Sequence, residues 1–378
     1  MTNQFNRRGF LGSSLFAAGA VAAQPVVAKH HGAKLSYGPT AGMAKLNANE
    51  NPYGPSPAAL NAMMEAASKG AYYVGQSVPT LKAMIAERHG LTPDHVALSS
   101  GSSGVLTYLA VAMAHQGKKI LGPDLFWDTT AKKAVQQGGE IVRVANGDNL
   151  EINLDAVEKA ITDDIGIVHI TNPNNPTGLV LDPKELTAFT KRVSKKTMVL
   201  VDEAYNELTD DPPKNTMIPL IKEGHNVVVA RTFSKIYGLA GMRVGYMLAS
   251  PETLELVNTY GLGDYAMNQA GVAAAIASYN DTAFLTYSKS KIIEAREMVS
   301  AAVKDAGLSA LPSATNFVFV NLGKMNAQEF REKMEARNVY IRGIYRDYTH
   351  WSRVSMGHMH DVERYVAALP QVIDEMTA

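Results

Sequence analysis

The stretch "VVVARTFSKIYGLAGMRVGYMLAS", Val227–Ser250, decides how the chain is read. A run of β-branched residues, Val227–Val229, leads through Ala230 and Arg231 into Thr232, Phe233, Ser234 and Lys235, the composition of a largely buried strand. Lysine is ordinarily a solvated surface residue, yet Lys235 stands between that strand and a glycine-studded apolar segment. At the low-dielectric edge of a sheet its amine would have a depressed pKa and could act as a nucleophile or Schiff-base former. Gly238, Gly241 and Gly245 would let the chain turn so that Arg243 points back at the same place.

Working outward, strands and helices alternate. "HVALSS", "KKILG", "EIVRVA", "IGIVHITN", "TMVLVDEAY" and "NVVVARTFS" read as strands. "TTAKKAVQQ", "LDAVEKAI" and "DPKELTAFTKRVS" read as helices, as do the segment after "GSSG" and the earlier segments 58–69 and 80–89. This alternation predicts an α/β fold with a mainly parallel sheet covered by helices. Beyond about Ala270 the pattern changes to long helices, "NFVFVNL", a helix around 327–337 and "VYIRG", a smaller α+β unit completed by the N-terminal segment. The expected divisions are a signal over 1–28, an N-terminal segment over 29–65, a large domain over 66–270 and a small domain over 271–378.

Ligands of an open parallel sheet sit at the carboxyl ends of its strands. There one strand runs into Asn172–Gly178, one ends in Asp202, Glu203, Ala204 and Tyr205, and one ends at Lys235. An amide, a carboxylate and an amine thus arrive at one edge. Asp202 emerges from an apolar strand and needs a cationic partner; a protonated pyridine nitrogen would serve. Thr232, Ser234 and Arg243 form a natural phosphate clamp. Ser99–Gly104 lies at a strand-to-helix junction whose free N–H groups favour a phosphate. Taken singly, these are caps, turns and strand ends; together and in this order they describe a site for pyridoxal phosphate.

Bulk composition narrows the function class. The 378 residues carry 36 basic and 36 acidic side chains, with no basic stripe interleaved with aromatics. Nothing therefore argues for nucleic-acid binding, and a small-molecule role is the default. There are no cysteines, which removes disulfides, thiolate metal sites and cysteine nucleophiles. Histidines at His30–His31 and in "GHMHD" read as solvated or core residues, so no metal site is expected. The first 28 residues have a positive start at Arg7 and Arg8, an apolar Ala/Gly-rich run and small residues before Ala28. They have the layout of a secretory signal, and Arg7-Arg8-Gly9-Phe10-Leu11 is similar to the twin-arginine type that exports folded proteins. A periplasmic or exported location is expected, cytoplasmic if the signal is not used, with no stable membrane association after cleavage.

The motifs "LNANENPYGPSP", "NPNNPTG", "VDEAY", "RTFSKIYGLAGMRVGY" and "IRG…SRVSMG" resemble, in this order and across the mature chain, the fold-type I aminotransferases of class I/II. Within that group they are most similar to the histidinol-phosphate aminotransferases. The resemblance implies pyridoxal 5'-phosphate as cofactor, with Lys235 as its covalent lysine and the proton carrier of a 1,3-shift. It implies that Asp202 pairs with the ring nitrogen and that Asn175 and Tyr205 bond the ring hydroxyl. Ser234 and Arg243 would hold the phosphate with Thr232 and the backbone of Ser102 and Ser103, and Trp127 would stack on the ring. Tyr73 would reach a phosphate across a homodimer interface. Arg353 would bind the substrate α-carboxylate, Arg342 a distal phosphate, and Asn49 would line the substrate pocket. Two departures from the family pattern stand out: Gly101-Ser102-Ser103-Gly104 lacks the usual acidic residue, and "IYRDYTHW", Ile344–Trp351, is unusually aromatic. The expected reaction is transfer of an amino group from a histidinol-phosphate-like or aromatic donor to 2-oxoglutarate. A decarboxylase or racemase on the same scaffold, or a non-catalytic exported solute-binding protein, are the alternatives.

Overall fold

The computed structural model describes residues Tyr37–Ala378; the expected signal, 1–28, and His30–His31 lie outside the described residues. In chain order the strands are β1 (Ala44–Leu46), β2 (Val96–Ser99), β3 (Lys119–Pro123), β4 (Ile141–Val144), β5 (Ile165–Thr171) and β6 (Met198–Asp202). There follow β7 (Val227–Thr232), β8 (Gly245–Leu248), β9 (Ser309–Ala310), β10 (Phe317–Asn321), β11 (Val339–Ile341) and β12 (Trp351–Ser355). Seven of them form a central sheet in the order β2–β8–β7–β6–β5–β3–β4. The pairings from β4 through β3, β5 and β6 to β7 are all parallel, and β8 runs antiparallel to both β7 and β2.

The largely apolar strands are explained by burial on both faces. Along β6, Val199 and Val201 enter one core cluster while Met198 and Leu200 enter another; along β7, Val227 and Val229 part from Val228 and Ala230 in the same way. Successive side chains of a strand point to opposite faces, so each cluster marks one helix-covered side. Local chemistry stops and starts the covering helices. Pro183–Val193 begins with Pro183, and Asp182 accepts from the N–H groups of Lys184 and Glu185 at 2.8 and 3.1 Å, a side-chain N-cap followed by an N1 proline. The fold is the expected α/β type with a mostly parallel sheet.

Register fixes what meets at the carboxyl edge. Thr232 pairs with Gly245, Gly245 with Ser99, and Asp202 with Thr171. The ends of β2, β5, β6 and β7 and the start of β8 therefore share one edge.

The remaining strands build smaller sheets. β10 lies between β12 and β9 in antiparallel pairing, and β1 pairs in parallel with β11, Ala44 opposite Val339. That pairing brings the polar run Asn47–Asn51 toward Arg342, directly after β11, and Arg353 of β12, which bridge each other. Several elements have no counterpart in the sequence reading, among them β8, β9, β12, the helices Ile218–Lys222 and Pro251–Tyr260, and the closing helix Met359–Thr377. Among the described residues no helix is long and apolar enough to cross a membrane.

Candidate active site

A cavity of about 470 Å³ opens at this edge, within the range of small-molecule sites. Its lining includes Asn49, Ser102, Ser103, Trp127, Asn175, Asp202, Tyr205, Thr232, Ser234, Lys235, Arg243, Arg342 and Arg353. Every site residue expected from the sequence except Tyr73 is thus brought to one place.

One end is built for an anion. The helix Ser102–His115 starts behind Gly101, which has no side chain to cap it. Ser99 Oγ accepts from Val105 N–H at 3.2 Å and the Gly101 carbonyl from Gly104 N–H at 3.1 Å, which leaves the N–H groups of Ser102 and Ser103 and the helix dipole unspent. Arg243 sits in the left-handed region at φ 53° and donates to the carbonyls of Ala240 and Ser100 at 3.0 and 3.4 Å. Gly101, at φ 68°, lets it approach: a Cβ there would stand 2.5 Å from Nη2 of Arg243. Ser234 is fixed from both sides of Thr232, whose Oγ1 donates to Ser234 Oγ at 2.9 Å and accepts from Ser234 N–H at 3.1 Å. The Ser234 hydroxyl proton is left for a ligand.

Next to it lie the groups for a pyridine ring. Asp202 is 2% exposed, and burial pushes its carboxyl up to about 6 even with Ala204 N–H donating to Oδ1 at 3.2 Å. A cationic N–H in the cavity is what such a carboxylate lacks. Tyr205 accepts from Asn49 Nδ2 at 2.7 Å, and burial raises its phenol so that it keeps its own proton to donate. Asn175 accepts from Arg353 Nη1 at 2.9 Å through Oδ1, while its Nδ2 has no partner among the described residues. Two unspent donors on the lining match the ring hydroxyl of pyridoxal phosphate.

Lys235 stands between these groups, half-buried. Its Nζ donates to the Asn49 carbonyl at 3.0 Å and lies 5.5 Å from the Tyr205 ring centroid. Burial, and then the Arg353 guanidinium, lower its amine to about 8, against the pull of Asp202 and Glu50.

The far side is cationic. Arg353 of β12 is buried; its Nη2 donates to the Asn47 carbonyl at 3.1 Å, and its Nε has no partner among the described residues. Arg342 is exposed to the cavity, and its guanidinium makes no hydrogen bond or ion pair among the described residues. Trp127 is 36% exposed on the lining rather than packed in a core.

Several lining residues were not singled out from sequence: Asn47, Glu50, Thr171 and Tyr345. Ser355, equally unremarked, donates to Asn49 Oδ1 at 2.6 Å and so orients the amide that holds Tyr205. The polar run "NANEN" and the aromatic "IYRDYTHW" were the available signals. Tyr73 lies away from the cavity of its own chain, 82% exposed and edge-on to Tyr265 at 6.1 Å. His358 of "GHMHD" packs edge-on against Tyr53 at 5.0 Å.

Residues 41–369 match the family model for aminotransferase class I and II. The chain is 33% identical to the histidinol-phosphate aminotransferase of Anaeromyxobacter sp., with 88% of this chain and 91% of that one covered. It is 35% identical to histidinol-phosphate aminotransferase 1 of Dechloromonas aromatica, covering 89% and 91%. Among solved structures, the histidinol-phosphate aminotransferase of Sinorhizobium meliloti in complex with pyridoxal-5'-phosphate superposes with a TM-score of 0.78 at 30% identity, over 87% of this chain and 90% of that one. The residues at the sheet edge fit the same cofactor, and amino-group transfer is the chemistry they serve. The chain belongs to the class I and II aminotransferases, of the pyridoxal-phosphate-dependent fold type I.

Proposed function

We propose that the amino donor is an amino-alcohol phosphate of the histidinol-phosphate kind or an aromatic amino acid, and that the acceptor is 2-oxoglutarate. The observation that carries this reading is Arg342. An unspent guanidinium on a ligand cavity is a bidentate receptor for a phosphate or a carboxylate, and this one shares the cavity with Lys235. The names of the curated relatives point to the same donor class.

Bound at this edge, pyridoxal phosphate supplies an electron sink and a carrier for the amino group. Asp202 opposes the charge of the ring nitrogen. Lys235, near neutrality in its titration, takes the proton at the donor Cα and returns it within the same cavity. Arg353 orients the α-carboxylate of an amino or oxo acid, with Asn175 and the Asn47 carbonyl holding its fork in place. Arg342 then takes the distal anion. Glutamate release from 2-oxoglutarate, assayed with histidinol phosphate and with a panel of aromatic and aliphatic amino acids, tests the donor class. The expected result is turnover concentrated on histidinol phosphate or the aromatic donors, reduced at least tenfold in Arg342→Gln for the phosphate donor; turnover confined to aliphatic donors would sink the reading.

Residues 1–28 are proposed to export the folded enzyme. A twin-arginine route admits proteins that already hold their cofactor, and Arg7 and Arg8 stand in the expected context. Replacing both by lysine should shift the enzyme from the periplasmic to the cytoplasmic fraction; an unchanged distribution would refute export by this route.

A further inference from the structure

The turn Tyr345–Tyr348 brings Tyr345 to the cavity wall, and none of the cofactor roles assigned above falls to it. Tyr348 N–H donates to the Tyr345 carbonyl at 2.9 Å, closing a tight turn with Arg346 in the left-handed region at φ 49°. A non-glycine residue stays in that region only when its surroundings hold it there. The holding group is Asp124, directly after β3. Its Oδ1 lies 3.1 Å from Nη2 of Arg346, and its Oδ2 accepts from the Tyr348 hydroxyl at 3.1 Å. Asp124 is itself fixed, its carbonyl accepting from Arg143 Nη1 at 3.1 Å. One carboxylate at the sheet edge therefore clasps the turn beyond Tyr345.

The clasp leaves Tyr345 on the lining with a defined orientation. Phe319 backs its ring edge-on at 6.0 Å, and the guanidinium carbons of Arg342 and Arg353 lie 5.6 and 5.5 Å from its centroid. Its hydroxyl makes no hydrogen bond among the described residues. Of the three aromatic side chains on the lining, Tyr205 is bonded to Asn49 and Trp127 comes from the segment after β3. Tyr345 is the one placed between the two substrate-binding arginines.

We propose that Tyr345 is the specificity-determining residue for the donor side chain, a wall that selects flat, unsaturated groups over aliphatic ones, and that Asp124 is its positioning residue. A flat ring packed on a fixed phenol gains what an aliphatic chain of similar size does not, a preference of roughly tenfold. The inference rests on the donor class proposed above and deepens it.

The experiment measures kcat/KM of the cofactor-loaded enzyme for phenylalanine and for leucine, with 2-oxoglutarate as acceptor. The phenylalanine-to-leucine ratio is expected to exceed one in the wild type and to fall about tenfold in Tyr345→Leu. In Tyr345→Phe, which keeps the ring, it should stay closer to wild type. Asp124→Ala should lower the same ratio by a smaller factor, through the KM for phenylalanine. Thermal melts and the bound-cofactor absorbance show that each variant is folded and loaded. A ratio within twofold of wild type in Tyr345→Leu, or an equal fall in Tyr345→Phe, overturns the role of the ring; an unmoved ratio in Asp124→Ala overturns the clasp. Absence of glutamate with phenylalanine, leucine and histidinol phosphate in the wild type would instead strike the donor reading beneath it.

Discussion

At Asp202 the needs of stability and of cofactor binding oppose each other. Its carboxyl ordinarily titrates near 3.8 and stands near 6 in the fold because burial penalises the charged form. A group whose pKa is raised on folding stabilises the fold while protonated, and that stability is lost as pH climbs toward the folded value. Above pH 6 the cofactor-free protein therefore carries a penalty of up to about 3 kcal/mol from this one side chain. Asp202→Asn should raise the melting temperature of the cofactor-free protein at pH 8 and leave it unmoved at pH 4. The same variant should lose transaminase activity by orders of magnitude, since a neutral amide gives the ring nitrogen no counter-charge. Calorimetry at the two pH values checks the first outcome, and glutamate release checks the second. Lys235 is shifted the other way: its amine at about 8 is partly neutral at physiological pH, so activity limited by Lys235 rises with pH through that value.

The phosphate end shows how elements rather than single residues make a site. Ser102 and Ser103 offer backbone N–H groups because β2 stops at Ser99 and a helix starts three residues later; Arg243 reaches them because β8 sits between β2 and β7. Gly101 is the joint. Alanine there would have to adopt φ 68° and bring its Cβ against Arg243, costing about 1–2 kcal/mol in backbone conformation alone. Gly101→Ala is expected to weaken cofactor binding roughly tenfold or more, read by fluorescence titration of the cofactor-free enzyme; wild-type affinity would contradict the placement of Arg243. This element level is also where sequence reading failed in part. Strands β5, β6 and β7 were legible because each is a mostly apolar run, interrupted only by Gly166 and His169 in β5 and by Arg231 in β7, and each ends in a polar residue. β8 was not, because four residues behind Gly241 and Gly245 look like a turn until β2 and β7 supply partners from either side. The helix Met359–Thr377 carries Pro370 in its interior, a residue that from sequence argues for a helix end. Tyr345 escaped notice because its turn contains Arg346, not glycine, at the left-handed position.

At the scale of the whole molecule, Tyr73 is the residue that one chain leaves unexplained. It is exposed, as are Tyr72, Leu262 and Tyr265, and it packs edge-on to Tyr265, while the cavity of its own chain is lined without it. We propose a homodimer in which Tyr73 completes the partner's phosphate end, which would account for both facts. Under that proposal, Lys235→Ala and Tyr73→Ala are each impaired as homodimers. After mixing, unfolding and refolding together, activity should reappear from hybrids in which one site keeps both native residues. Activity no higher than the average of the two parents would mean that each chain works alone.

The identity of Lys235 as the cofactor-bearing amine underlies every role assigned above. Pyridoxal phosphate added to the purified protein, reduced with borohydride and followed by peptide mass analysis, reads it out. One pyridoxyl label on Lys235, and none anywhere in Lys235→Ala, is the expected result. A label spread over surface lysines, or one that persists in Lys235→Ala, would contradict the assignment of this cavity as the active site.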